Sequence, residues 1–339
     1  MVGNNLFSGL ARAAAAVFLL FAGSLAQAGD AKPVVVATLF PQFDFARSIA
    51  GDLAEVRLLL PPGAESHSFE PTPSDMKTIA AADLFIYTGE YMEPWAKRMV
   101  AAARPDDNRI VDASKGIALR KNDEPRDGHD HTHDHDHGHD DAHHHDKHDH
   151  DSHHEAEHGG AHFHEFDPHI WLDPILASIM IDNIANAFAG IDAANADSYR
   201  QNADALKREL AGLDAWFRDR VAKAPRKTLV FGDRFAFAYF FNRYGLEEVG
   251  PYRFCAPGAE PGLQAVIATI KYVKDNGVRF IYKEAMSSGR TAVVLRKETG
   301  VEILDVDSLH NPPAAEQAAG AGFVAIMRRN MEAFARGLE

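Results

Sequence analysis

Only one cysteine, Cys255, occurs in 339 residues. An intramolecular disulfide is therefore excluded, as is any zinc site made of several thiolates, and a metal centre would have to draw on His, Asp and Glu. Cys255, in "RFCAPGAEP", reads as a small buried residue, with a ligand role as the less supported alternative. Basic charge is also scarce. Lys and Arg number 35 against 49 Asp and Glu, a formal net charge of −14, which argues against a nucleic-acid partner. The one HExxH match, His154 to His158, falls inside a run of histidines and acids, and none occurs in the rest of the chain. Glu65 and Glu70 near His67 have no matching electrophile-binding loop, which argues against a zinc hydrolase. The apolar stretch "AAAAVFLLFAGSL", Ala13 to Leu25, falls short of the roughly 20 residues needed to span a bilayer. With Arg12 before it and "AQA" (Ala26 to Ala28) after it, it reads as a cleaved signal peptide over 1–28. No cysteine lies near that cleavage site to carry a lipid, so the expectation is a soluble, exported, periplasmic protein.

Histidine, by contrast, is abundant and unevenly spread. Sixteen of nineteen histidines fall in one Asp/Glu-interleaved tract: His129, His131, His133, His135, His137, His139, His143, His144, His145, His148, His150, His153, His154, His158, His162 and His164. Imidazole and carboxylate both ligate divalent transition metals. A tract with almost no apolar residues cannot bury a core, and its composition predicts disorder over 121–164. Such donors bind several ions weakly, with little geometric selection. A selective site has to be sought in the folded remainder.

That remainder is ample: 46% of the chain is hydrophobic, enough for two domain-sized cores. Strand-like runs at Val34–Phe40, Val56–Leu60, Leu84–Gly89 and Arg109–Ala113 alternate with the helical stretches "PQFDFARSIAGD", "PSDMKTIAAAD" (capped at Ser74) and "YMEPWAKRMVAAA". Beyond the tract, Thr228–Gly232, Val278–Glu284 and Val301–Asp307 repeat the alternation. Between the two sets, Tyr199, Ala203, Leu206, Leu210, Leu213, Phe217 and Val221 recur at three- or four-residue spacing, predicting one amphipathic helix of roughly 40 Å. The expected fold class is α/β: two lobes with mostly parallel sheets flanked by helices, joined by that one long helix, with a cleft between them. The expected divisions are 33–190 for the first lobe, 195–222 for the connecting helix and 226–339 for the second lobe. A single large doubly wound domain is the alternative.

Ligands of parallel sheets bind outside the carboxyl ends of the strands. His67 lies in the Pro/Gly-rich loop "PPGAESHSFEP", His169 in "DPHIWLDP", Asp233 directly after "LVFG", and Asp307 and His310 in "DVDSLHN". Each has a plainer reading: an exposed loop histidine, the tail of the tract, a helix cap at Asp233, turn residues before "NPP". Against these stands one coincidence. Only three histidines lie outside the tract, and all three fall in these loops.

The segments "PPGAESHSFEPTPSDMKTIAAADLFIYTGEYMEPW", "DPHIWLDP", "AEPGLQAVIATIKYVKDNGVRFIYKE" and "TGVEILDVDSL", with an acidic His-rich insertion before the second, resemble the substrate-binding proteins of zinc and manganese ABC importers, the TroA-like or ZnuA-like group. The resemblance covers essentially the whole chain beyond residue 28. It implies a buried metal between two lobes and delivery to a membrane permease. It also implies His67 and His169 as the first two ligand histidines and Asp307 as the acidic ligand. Where the group has its third histidine, this chain has Gly232. Two residues could repair the loss. Asp233 would give an oxygen-rich site drifting towards manganese, whereas His310 keeps the nitrogen-rich set that zinc accepts. Arg234 beside Asp233 favours an ion pair there, and with it His310.

The reading is therefore a receptor for Zn(II), not an enzyme. His67, His169, Asp307 and His310 are its metal ligands, Asp233 is an alternative or supporting donor, and the tract is an accessory zinc collector. An ABC importer permease in the inner membrane is the expected partner, a periplasmic zinc chaperone a further one, and the chain is expected to be a monomer. The rivals are a periplasmic zinc buffer or sensor centred on the tract, and a manganese receptor.

Overall fold

The structure, a computed structural model, describes residues 32–96, 109–122, 165–252, 255 and 260–339. The expected signal peptide, the sixteen tract histidines and most of the helix expected from "YMEPWAKRMVAAA" lie outside the described residues.

Two four-stranded parallel sheets carry the two lobes. The first contains β1 (Val34–Ala37), β2 (Glu55–Leu58), β3 (Leu84–Tyr87) and β4 (Ile110–Asp112) in the order β2-β1-β3-β4. The second contains β5 (Thr228–Phe231), β6 (Glu247–Val249), β7 (Phe280–Glu284) and β8 (Glu302–Val306) in the equivalent order β6-β5-β7-β8. In both sheets the chain reverses its direction of travel beside the first strand, so each lobe opens a crevice at its carboxyl end. β6 went unread in the sequence: three residues, of which only Val249 is apolar, leave no periodic signal.

The apolar run at 34–40 is not one strand. Pro41 in the first turn starts α1 (Phe40–Ala50), because proline is preset for helix entry and has no N–H to lose there. Helix α2 (Pro73–Ala81) is capped by Thr72, not Ser74. The Thr72 hydroxyl accepts from the Asp75 N–H and the Asp75 carboxylate accepts from the Thr72 N–H, a reciprocal box that Ser74, inside the first turn, could not form. Asp233 caps no helix either, since α5 (Ala238–Tyr244) begins after Phe237.

Between the sheets run α3 (Pro174–Ile191) and the 28-residue α4 (Ala196–Lys223). The seven apolar residues picked out by spacing are the buried face of α4. That face packs on α1 and α3 of the first lobe and on the C-terminal helix α9 (Phe323–Leu338) of the second. The remaining helices, α6 (Leu263–Asp275), α7 (Arg290–Thr299) and α8 (Ala314–Ala318), belong to the second lobe. A single apolar core runs through α4 into both lobes, and Phe45 meets Phe323 edge-on across them at 4.6 Å. Leu210→Ala at the centre of this face should cost about 2–5 kcal/mol in chemical denaturation. Glu209→Ala, on the exposed face, should stay within about 0.5 kcal/mol.

Candidate metal centre

Three short segments, far apart in sequence, bring the three histidines outside the tract to one point. His67 sits in the loop between β2 and α2. Its N–H donates to Glu65, and the loop is pinned from the other lobe by Asn311, whose Nδ2 donates to the carbonyls of Pro61 (2.6 Å) and Ala64 (3.1 Å).

His169 does not follow a strand, contrary to the sequence reading. It precedes a single 3-10 turn, Ile170–Leu172, with Pro168 before it. The Asp167 carboxylate accepts both from the His169 N–H (3.0 Å) and from its Nδ1 (2.6 Å). That bond fixes the proton on Nδ1 and turns the Nε2 lone pair inwards. Burial disfavours the imidazolium, but the adjacent Asp167 charge outweighs it and lifts the His169 pKa to about 10.

His310 follows β8 through the turn Asp307–Leu309. Leu309 has φ 58°, the one left-handed non-glycine among the described residues, and this turns the chain back into the cleft. The Leu309 N–H is held by one oxygen of Asp307 at 2.7 Å. His310 Nδ1 meets the Ser308 hydroxyl at 2.6 Å, leaving Nε2 to face the other rings. Burial and the neighbouring His169, His67 and Arg234 push its pKa well below the ordinary value, so His310 stays neutral.

The rings stand 4.8 to 5.4 Å apart, centroid to centroid, and Trp171 packs edge-on against His169 and His310. Nε2 of His67 and Nε2 of His310 are 3.1 Å apart. The Nε2 of His169, a residue 3% exposed, has no hydrogen-bond partner. Cys255 joins them, its Sγ 3.7 Å from His67 Nε2. One ligand atom from each of His67, His169, His310 and Cys255 falls within a span of 4.8 Å.

Asp307 and Asp233 are not in that group. Asp307 lines the same cavity of about 200 Å³ with His67, His310, Cys255, Arg234 and Glu284, and one of its oxygens is buried without a partner. Burial lifts the Asp307 carboxyl to about 6, against the pull of the Leu309 N–H. It lifts Glu284 to about 8, with the Asp307 charge adding to the shift. Asp233 is buried, with one oxygen accepting from the Arg234 N–H and the other unpartnered. The ion pair expected between Arg234 and Asp233 is absent. The guanidinium reaches across the cleft to Glu65 of the first lobe, 3.9 Å away.

The family model of the zinc-uptake complex component A, periplasmic, matches residues 35–337. The chain belongs to the ZnuA family. The high-affinity zinc uptake system protein ZnuA of Bacillus subtilis is 33% identical over 327 residues, covering 94% of both chains. The zinc-binding lipoprotein AdcA of Streptococcus pneumoniae is 29% identical, and this chain spans 58% of its length. Among solved structures, the metal-dependent lipoprotein YcdH of Bacillus subtilis aligns with a TM-score of 0.71 at 29% identity, over 91% of this chain and all of that one. The Zn(II)-bound ZnuA-like domain of Streptococcus pneumoniae AdcA aligns at 0.70 and 26%, over 91% of this chain and 99% of that one.

At Gly232, where the resemblance led to the expectation of a histidine, there is no room for a side chain. A Cβ there would lie 2.8 Å from both Cα and Cβ of Ala292 on α7, so the helix already fills the space a side chain would need. Two contributors to the site escaped the sequence reading. Asp167, two residues before His169, and Asn311, directly after His310, were legible only as neighbours of a candidate. Cys255 was legible only as a weakly supported ligand, because a lone thiol carries no spacing signal. Gly232→Ala should destabilise the second lobe by about 1–3 kcal/mol in denaturant titration, as an overpacked contact does. Gly232→His should cost more and restore no donor to the cleft.

Proposed function

We propose that this ZnuA-family chain is an extracytoplasmic receptor that captures Zn(II) in the cleft and delivers it to an ABC importer permease in the inner membrane. The observation that carries the reading is the His169 Nε2, a buried ring nitrogen with no hydrogen-bond partner beside two further imidazole nitrogens. Leaving a buried polar atom unsatisfied costs about 1–3 kcal/mol, a cost that an incoming cation removes. Three imidazoles, with a carboxylate such as Asp307 on the same wall, form a nitrogen-rich set that suits zinc better than the oxygen-preferring manganese. Cargo held by four protein donors leaves no position for an activated water, so the reading is transport and not hydrolysis.

The His-rich tract, on this reading, is an accessory collector. Its two ends are stapled together next to the site: Lys121 and Phe166 form an antiparallel bridge, and the Asp167 N–H donates to the Arg120 carbonyl. Asp167 is also the residue that orients His169. Zinc held weakly along the tract is thereby kept at high local concentration around the cleft. A zinc chaperone could load the same entrance.

The test is chelator-competed calorimetry of zinc binding, on the intact chain and on a chain lacking 128–162. One tight site should survive the deletion and weaken by about 100-fold or more in His169→Ala and by about 10–100-fold in Asp167→Asn. Only weak binding after the deletion would sink the receptor reading and leave a buffer built on the tract. Affinity should fall with pH in a telling way. A free imidazole near pKa 6.5 stops competing with metal above pH 7, whereas His169, held near 10 by Asp167, must give up a proton throughout the neutral range. Zinc affinity should therefore drop about tenfold per unit even from pH 8 to pH 7. Asp167→Asn should flatten that slope.

A further inference from the structure

We propose that Cys255, the chain's only thiol, is the fourth donor of the cleft and binds the ion as a thiolate, making the centre a three-histidine, one-cysteine site. The inference rests on the reading of the cleft as a metal site and goes beyond it in naming the donor.

The geometry points to sulfur in this position. Tetrahedral zinc has Zn–N bonds of about 2.0–2.1 Å and a Zn–S bond of about 2.3 Å, so neighbouring donors stand about 3.3 Å apart for two nitrogens and about 3.6 Å for nitrogen and sulfur. His67 and His310 are separated by 3.1 Å, and His67 and Cys255 by 3.7 Å. Both separations are close to the edges of such a tetrahedron. The unpartnered and buried Nε2 of His169 is the remaining corner. The four atoms together span no more than 4.8 Å, a set that has to draw in only slightly around an ion. The Asp307 carboxylate lies outside that group, and one of its oxygens is committed to the Leu309 N–H.

Charge agrees with the assignment. On binding, the S–H bond breaks, the proton leaves to solvent and a sulfur–metal bond forms. One thiolate and three neutral imidazoles leave a dipositive ion with a single net positive charge. Asp307 and Glu284, in the same cavity wall, are placed to offset it without entering the coordination sphere. Asp307 is thus a source of field and Cys255 a source of a bond. A thiolate also shifts preference towards soft and borderline cations and away from manganese.

Cobalt(II), which reports its own coordination in absorbance, tests this on the intact mature chain at one equivalent. The expected spectrum has intense tetrahedral d–d bands in the visible and a thiolate-to-cobalt charge-transfer band in the near ultraviolet. No other residue can produce the second feature, because the chain has no other thiol. Cys255→Ser should abolish the charge-transfer band, keep d–d absorption from the three imidazoles, and weaken zinc affinity by about 100-fold, at or above the upper range for losing a supporting residue. Tetrahedral d–d bands without charge transfer in the unmodified chain would overturn the Cys255 assignment and leave the three-imidazole receptor standing. Absence of both features would overturn the site itself. The wild-type spectrum decides between these outcomes even if the variant folds poorly.

Discussion

Everything around the cleft serves one constraint: three imidazoles must crowd together with a ring nitrogen of each facing the same point. Left to themselves, such rings would rotate to hydrogen-bond solvent or accept protons and repel one another. The protein prevents this from behind each ring. Asp167 holds the far nitrogen of His169, the Ser308 hydroxyl meets the far nitrogen of His310, and Trp171 closes one side. The centre therefore holds asymmetric protonation, with His169 stabilised as a cation and His310 kept neutral beside it. A dipositive ion would replace the proton on His169 and give the unpartnered Nε2 a bond.

The same residues tie the two lobes together. Trp171 Nε1 donates to the Ser308 carbonyl at 2.8 Å, the Phe40 N–H to the His310 carbonyl at 3.2 Å, and Asn311 to the loop carrying His67. Opening the cleft would strain these bonds at the residues flanking each ligand histidine, so movement of a lobe and loosening of the site are mechanically the same event. Tyr239 extends the linkage. From the second lobe, its hydroxyl accepts from the Arg120 N–H and donates to the Asp167 carbonyl, gripping both sides of the staple from which the tract departs.

Gly232 also has a physical logic. With no side chain there, Ala292 of α7 lies against the end of β5 and leaves no room for one. His310 reaches the cleft from the loop after β8, through a turn with Leu309 in the left-handed region.

Periodicity determined the α/β alternation and the buried face of α4, because those patterns are local: each side chain's fate follows from its spacing on its own element. Scarcity determined the candidates, since three histidines outside a tract of sixteen left few choices. Tertiary structure alone decided the short strand β6, the pairing of Arg234 with Glu65, and the arrival of Cys255 beside His67. Each of these depends on which groups meet across long chain separations. A thiol 188 residues from its histidine neighbour has no period or motif to announce it. Only the closing of two lobes around one point brings the pair within reach.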